Sequence, residues 1–426
     1  MSGINREHAV VLPTEILADI FVKCLPTPSE SEYSWISVVD GFHTLSPSHA
    51  PLLVSSVCRR WREVALSTPR LWLSLDLHRK KHRKDTDRTG VLSSVLARSF
   101  PHPLSFDMHR SCHAGDVKEI IRHCERWGAV EFLLPENDPH VFDEVRGRLP
   151  RLEKFCLNLE YQTPHVVQSF AEAPQLKNLS LLSGNLELGS VVLPWHQLTH
   201  LTCEDFTDVE CVDMLRQCPA LVECHLIGYD NDRSMDSIIS FPPIVHDHLT
   251  CLKIHGTSHM DLIRLLKLPC LRVLKFSFQH FASDSDDGIL VSFLTRSRCR
   301  LERIWLWNAT DLSLLRCVPF LTSLVTLEIC SHNVFLTDNL LRSLSDRAVL
   351  PKLQKLDIDV LLEYWGAHDW TENLMREMIL SRCLRSGNST DVRLQIFRLV
   401  YKPHEDEDDT GLMASPPRSL NGGVQN

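Results

Sequence analysis

Glycine is scarce in this chain, with 16 residues among 426. Neither G-x-G-x-x-G nor G-x-x-x-x-G-K-[ST] occurs, so we expect no Gly-rich loop that binds nucleotide phosphates. No run approaches the ~18 apolar residues of a membrane span. The opening MSGINREHAV lacks the apolar core of a signal peptide. We therefore predict no membrane partner.

An excess of positive charge is also missing. The formal net charge of -9 argues against a general nucleic-acid-binding protein, which is usually basic. The 15 cysteines are odd in number and form no C-x-x-C pair, unlike the disulfide framework of a short secreted protein. We expect free, mostly buried thiols and a cytoplasmic location, a nuclear location or both.

Metal ligands and catalytic groups show no recognised grouping. Cys203, Cys211, Cys218 and Cys224 have spacings that match no zinc finger or zinc ribbon, so core thiols are favoured over a zinc site. Neither G-x-S-x-G nor H-E-x-x-H is present, and no kinase motif set is found. The sequence predicts no metal, no cofactor and no catalytic residue.

Two amphipathic helices are predicted near the start of the chain. In VLPTEILADIFVKCLP, apolar residues at i,i+4 spacing indicate a first helix that Pro26 ends. Residues 27–50 are polar and turn-rich, which predicts a loop. A second helix is predicted from residue 51 by apolar residues at a spacing of four: Leu53, Val57, Trp61 and Ala65.

Residues 10–77 resemble an F-box, in the F-box-like form that is abundant in fungal proteins. The resemblance rests on LPTEIL, VCRRWREVAL and TPRLW in this order. In that family the motif binds the S-phase-kinase-associated adaptor of a cullin–RING ubiquitin ligase. The 27–50 insertion replaces a connection that is usually short. The adaptor-binding residues that the resemblance implies are Leu12, Pro13, Ile16, Leu17, Ile20, Phe21, Val57, Cys58, Trp61 and Ala65.

A pattern of the form L-x-x-L-x-L recurs nine times later in the chain, and its period resembles that of leucine-rich repeats. The copies begin at Leu152, Leu176, Leu198, Leu221, Leu249, Leu271, Leu301, Leu324 and Leu353, with a degenerate tenth at Leu394. We predict an α/β solenoid over residues 91–401, with parallel strands inside and helices outside. The arc should be irregular, because the +8 position holds neither Asn nor Cys, from Glu160 in the first copy to Leu361 in the ninth.

The residues at +3 and +5 of each copy should point into the core, and those at +2, +4 and +6 should lie on the concave face. In the seventh copy these outward positions hold an arginine and two tryptophans, the residue types that most often dominate protein interfaces. A loop folded over the tryptophans is the alternative. The predicted target-binding residues are Lys253, His255, Lys275, Arg303, Trp305 and Trp307.

Residues 78–90 form a basic linker that is read either as a solvated loop or as a nuclear-import signal. The tail, 402–426, is acidic and then rich in Pro, Ser and Gly, which predicts disorder.

These features predict a substrate-receptor subunit of an SCF-type cullin–RING ubiquitin ligase, which is not itself an enzyme. The F-box would bind the adaptor, and cullin through it, while the repeats bind an unknown protein target. One alternative is a non-catalytic leucine-rich-repeat scaffold that acts independently of ubiquitination. Another is a nuclear nucleic-acid-associated protein that uses the basic run at 79–84, although the acidic net charge counts against it.

Overall fold

The structure is a computed structural model with two compact units, Met1–Cys203 (unit 1) and Glu204–Asn426 (unit 2). Most of the predicted 27–50 loop and the basic run at 79–84 lie outside the described residues. The described residues are 12–25, 47–76, 88–108, 114–133, 139–159, 166–183, 188–228, 241–256, 259–277, 287–307, 311–331, 338–361, 372–383, 393–402 and 419–421.

Unit 1 begins with three short helices and continues with six parallel strands that are hydrogen-bonded in chain order. The helices of the opening module are α1 (Thr14–Lys23), α2 (Leu52–Val57) and α3 (Arg59–Ser67). The later elements are β1 (Ser74–Asp76), α4 (Arg88–Arg98), β2 (Leu104–Met108), α5 (Ala114–Arg122), β3 (Trp127–Leu133), β4 (Lys154–Leu159), β5 (Asn178–Ser183) and β6 (His200–Glu204).

Unit 2 alternates helices with strands. Its elements are α6 (Asp208–Gln217), β7 (Glu223–Gly228), β8 (Ile244–Val245), β9 (Cys251–Gly256), α7 (Met260–Leu265), β10 (Leu266–Lys267), β11 (Val273–Ser277), α8 (Asp287–Ser297), β12 (Arg303–Trp307), α9 (Asp311–Cys317), β13 (Thr326–Ser331), α10 (Asp338–Ser345), β14 (Lys355–Leu361), α11 (Glu372–Cys383), β15 (Ile396–Lys402) and β16 (Ser419–Asn421). Seven of its strands are parallel in the order β7-β9-β11-β12-β13-β14-β15, while β8 and β10 pair separately. The repeats therefore form parallel strands with intervening helices, as an α/β solenoid does.

The leucine pattern locates the strands accurately. In all nine copies and in the degenerate tenth, a strand begins two residues after the first leucine. The strand of the tenth copy is less deeply buried than the others. The +3 and +5 residues of the nine regular copies are buried, as Phe155 and Leu157 of the first copy illustrate. Since one strand cannot enclose these side chains, stacking of neighbouring repeats forms the core.

Side chains from one repeat bind backbone carbonyls near the C-terminal end of the preceding helix or turn, where such carbonyls lack intrahelical partners. Gln197 Nε2 donates to the Ala173 and Leu176 carbonyls at 2.7 and 3.0 Å. Arg296 donates to two carbonyls at the end of α7, at 2.9 and 2.8 Å. We call Arg126, Gln197, His246, Arg296 and Arg382 the carbonyl-capping side chains. They join successive repeats in a chain whose +8 positions carry no asparagine.

The outer layer differs in places from the prediction. Helices were predicted outside the strands, yet the described part of the connecting segment HVVQSFAEA is extended at Val167, which pairs with Val191. Backbone bonds join Val167 N–H to the Ser190 carbonyl and Val192 N–H to the Val167 carbonyl, at 2.7 and 2.9 Å. β-Branched residues favour this extended conformation over a helix. Short 3-10 turns, including Pro139–Val145, stand where unit 1 was expected to have helices.

Near the C-terminal end, the structure contains a helix, α11, and a short strand, β16. The sequence pattern of residues 371–385 indicates a helix, which is present as α11, while Thr371 and Gly387, the cap and terminator that the pattern implies, lie outside the described residues. Within the tail that was expected to be disordered, β16 pairs antiparallel with β15. No helix among the residues that can be described is long and apolar enough to cross a membrane.

Candidate adaptor-docking and target-binding surfaces

Helix α1 divides its apolar side chains between the interior and solvent. Leu17 and Phe21 are 1% and 0% exposed, because they face the other helices. Ile16 and Ile20, also four residues apart, are 47% and 40% exposed, and Leu12 extends the same row. The helix therefore buries one apolar stripe and leaves a second stripe in solvent, where apolar groups are disfavoured.

The second predicted helix is broken into α2 and α3. Cys58 is extended at the junction, with φ -157 and ψ 171, and its Sγ accepts a hydrogen bond from Trp61 N–H at 3.4 Å. The single line of apolar residues at spacing four was therefore wrong, since the break turns Val57 outward to 58% exposure. Ala65, at the far end of that line, is fully buried.

Trp61 is half-buried and packs against Phe21, with ring centroids 4.9 Å apart. The second tryptophan of the region, Trp72, is buried and donates its Nε1–H to the Ala65 carbonyl at 2.9 Å. The Arg98 guanidinium of α4 lies 5.0 Å from the Trp72 ring centroid. The last two of these contacts attach the helical module to α4 through Trp72.

The arginines of the VCRRWR stretch tie the module together rather than forming a cluster for an anion. Arg60 Nη2 donates to the Leu12 carbonyl at 2.6 Å, which links α3 to the start of α1. Arg62 Nε donates to the Ser55 carbonyl at 3.0 Å and so spans the break between α2 and α3.

The ten residues predicted to contact the adaptor have different positions. Three are inside the module and have no surface for a partner in this conformation: Leu17, Phe21 and Ala65. Trp61 is intermediate. Six are exposed: Leu12, Pro13, Ile16, Ile20, Val57 and Cys58. Leu53 of α2 is equally exposed, and its place in the apolar pattern could have identified it.

In unit 2 the structure brings together the six residues predicted to bind a target. Lys253, Lys275 and Trp305 lie side by side on β9, β11 and β12 in one parallel register. His255 and Trp307 lie two positions further along their strands, and their rings are 6.0 Å apart. We call the set Lys253, His255, Lys275, Arg303, Trp305 and Trp307 the Trp305 surface.

The two tryptophans form the apolar centre of this surface. Their ring centroids are 5.4 Å apart, and both side chains are partly exposed. Lys275 Nζ lies 5.8 Å from the Trp305 centroid, within the range of a cation–π interaction. Lys253 is instead paired with Glu223, at 2.5 Å between Nζ and Oε1. The surface therefore combines exposed aromatic area with positive charge.

Acidic residues continue the same rows on the next two strands, which the sequence analysis did not identify. Glu328 of β13 is the register neighbour of Trp305, and Asp357 of β14 follows it. Asp359 lies in the row of Trp307. Burial raises the pKa of Asp357, while Arg398 and Lys355 oppose that shift. All three carboxylates are at outward +4 or +6 positions, so the repeat pattern itself could have found them.

The cysteines considered as zinc ligands are core thiols. Cys203, Cys211, Cys218 and Cys224 are all buried. Burial raises the pKa of Cys218 to about 12 and raises that of Cys224 further, so both thiols stay protonated. Throughout the described ranges no three His, Cys, Asp or Glu side chains form a group that could hold a metal ion.

Comparison with known proteins adds no assignment. No protein-family model matches the chain, and no curated protein matches it. The F-box-like and leucine-rich-repeat resemblances therefore rest on this chain's own sequence.

Proposed function

We propose that this protein is a substrate-receptor subunit of an SCF-type cullin–RING ubiquitin ligase. The observation that carries the proposal is a set of exposed apolar side chains on α1 and α2, which we call the exposed row, in a module that buries Leu17, Phe21 and Trp72. The sequence resemblance to the F-box identifies the S-phase-kinase-associated adaptor as the partner for this row. The Trp305 surface of unit 2 supplies a separate site for a protein target.

The size of the exposed row suits protein docking. Five apolar side chains belong to it: Leu12, Ile16, Ile20, Leu53 and Val57. Full burial of such a side chain contributes roughly 1.5–3 kcal/mol, and these five are about half exposed, so covering all of them would contribute about 4–8 kcal/mol before the costs of association. Leu17, Phe21 and Ala65 would support the surface from inside, and Trp61 would do so through Phe21.

Such a receptor would perform no bond chemistry of its own. By holding the adaptor on one surface and a target on another, it would raise the concentration of target lysines near a ubiquitin-loaded enzyme. Its catalytic contribution would then be positioning. The location that suits this role is the cytoplasm, the nucleus or both.

The test is capture of purified adaptor by the purified full chain, compared with the variants Ile16→Asp and Val57→Asp. Each variant places a charge in the exposed row without removing a buried side chain. Val166→Asp is the matched control, because Val166 is similarly exposed in unit 1 but lies outside the helical module. Circular dichroism checks that each variant remains folded.

We expect stoichiometric capture by the wild type and by Val166→Asp, and at least about a tenfold loss for each of the other two variants. No capture by a folded wild type would refute the receptor proposal and leave the non-catalytic scaffold as the leading function. Equal capture by all variants would refute the assignment of the exposed row.

A further inference from the structure

We propose that the Trp305 surface and the neighbouring carboxylates bind an extended protein segment that carries an acidic residue on one side of an aromatic residue and a basic residue on the other. The inference rests on the proposed function, because it names the chemistry of the target that the receptor would bind. It is carried by the arrangement of charge across five adjacent strands: β9, β11, β12, β13 and β14.

The register fixes that arrangement. One row across the strands contains Lys253, Lys275, Trp305, Glu328 and Asp357, in that order. The residues on either side of each position are buried leucines, isoleucines or phenylalanine, so this row lies on the opposite face of the sheet. The face is therefore basic on one side of the tryptophans and acidic on the other.

Ion pairs within the protein neutralise only part of this charge. Lys355 Nζ lies 2.6 Å from Glu328 Oε1 and 3.7 Å from Asp357 Oδ2, and Arg398 lies 3.8 Å from the same Asp357 oxygen. Lys275 and Arg303 are both exposed, and neither has a carboxylate partner among the described residues. An anionic group on the partner would complement these two cations.

The acidic side has its own unmet requirement. Asp359 Oδ1 is buried and has no hydrogen-bond partner in the part of the chain that the structure describes. Leaving a buried carboxylate oxygen unsatisfied costs free energy, so a positive charge placed beside the carboxylate would stabilise it. A lysine or arginine side chain of the partner would supply this opposite charge.

The distances set the spacing of the groups on the partner. Trp307 and Asp359 are two strands apart in one row, which corresponds to about 9.5 Å at the usual strand separation. Lys275 on β11 and Asp357 on β14 are three strands apart in the neighbouring row, which corresponds to about 14 Å. An extended peptide advances about 3.4 Å per residue, so the acidic and basic residues should be about four positions apart. The aromatic residue would lie between them, on the tryptophan pair.

The test is selection from a synthetic peptide library by the immobilised full chain. Each peptide has a central tryptophan flanked on both sides by four randomised positions. We expect enrichment of Asp or Glu about two positions to one side of the tryptophan and of Lys or Arg about two positions to the other. Enrichment of basic residues on both sides, enrichment without charge preference, or no retained peptide would overturn the inference.

Variants locate the selection on this face. Lys275→Glu should remove the preference for an acidic residue, and Asp359→Asn should weaken the preference for a basic one. Trp305→Ala should weaken binding of a selected peptide about 30-fold. Lys267→Glu is the matched control, since Lys267 is an exposed lysine on the separate strand β10. If Lys267→Glu changes the selection as much as Lys275→Glu does, the face is not the binding site.

The two proposals fail separately. A chain that captures the adaptor but selects no such peptide refutes the target chemistry alone. A chain that selects the peptide but captures no adaptor refutes the ligase-receptor function and leaves this surface as the binding site of a scaffold.

Discussion

Arg382 is a carbonyl-capping side chain whose replacement by methionine should destabilise unit 2. It is 5% exposed, and it donates hydrogen bonds to the carbonyls of Leu344, Asp346, Val349 and Leu350. The Leu344 carbonyl lies in the last turn of α10 and the other three follow it, whereas Arg382 belongs to α11, one repeat later. Methionine keeps much of the side-chain volume, so the change removes the donors without opening a large cavity.

The size of the effect follows from which carbonyls stay buried. Leu344 and Leu350 are buried, and their carbonyls accept from Arg382 at 2.6 and 3.1 Å. Asp346 is exposed, so water can replace the arginine there. Two buried hydrogen bonds from a charged group contribute about 3–6 kcal/mol. Burial, which also lowers the pKa of Arg382, offsets part of that contribution. We therefore expect a net loss of about 2–4 kcal/mol.

The assay is thermal unfolding of the full chain followed by circular dichroism, with hydrogen exchange of the β13 and β14 amides to locate the loss in unit 2. For a unit of this size the expected fall in Tm is about 4–16 °C. Arg376→Met is the matched control, because Arg376 is exposed on the same helix and should change stability by less than about 0.5 kcal/mol. Equal Tm values for the two variants would refute the carbonyl-capping role.

Three further predictions concern the core of unit 2. Gly256→Ala should destabilise it by about 3 kcal/mol or more, because φ is +91 and the new Cβ would lie 1.6 Å from the Gly228 carbonyl oxygen; an unchanged urea midpoint would contradict this. Burial, with a smaller contribution from Lys253, lowers the pKa of His225 to about 3, so the unfolded chain binds a proton below about pH 6.5 that the folded chain does not. Stability should therefore fall by about 2 kcal/mol between pH 7.5 and 5, and His225→Asn should flatten that slope in denaturant titrations; an equally steep slope would count against the assignment. A thiol reagent at pH 8 should modify exposed Cys270 but not native Cys218, whose pKa burial raises to about 12, and mass spectrometry of the labelled chain would detect the opposite result.

The strands could be predicted because the core repeats itself. Every regular copy needs a buried first leucine and buried residues at +3 and +5, so the pattern marks the start of each strand to the residue. The segments between strands could not be predicted equally well. They have only to cover the core, and more than one type of secondary structure can do this. The chain covers it with a helix such as α8 in one repeat and with 3-10 turns such as Trp195–Gln197 in another.

The surfaces show the same limit. Apolar spacing found the residues of the helical module but not which of them are buried, because the break at Cys58 is made by a local side-chain cap. The Trp305 surface was found because arginine and tryptophan are conspicuous at outward positions. Glu328 and Asp359 occupy equivalent positions, yet their relevance depends on strand register and on an unsatisfied oxygen, which the sequence does not display.

The short strand β16 changes what the end of the sheet can do. A parallel sheet presents unpaired N–H and C=O groups at its last strand, and a second molecule could use them to extend the sheet into a filament. Here Ser419–Asn421 pairs with β15 between Arg398 and Val400. The reversed strand occupies part of that hydrogen-bonding edge and interrupts the parallel order. We therefore expect a chain cut before residue 419 to expose more of a template for self-association than the full chain does.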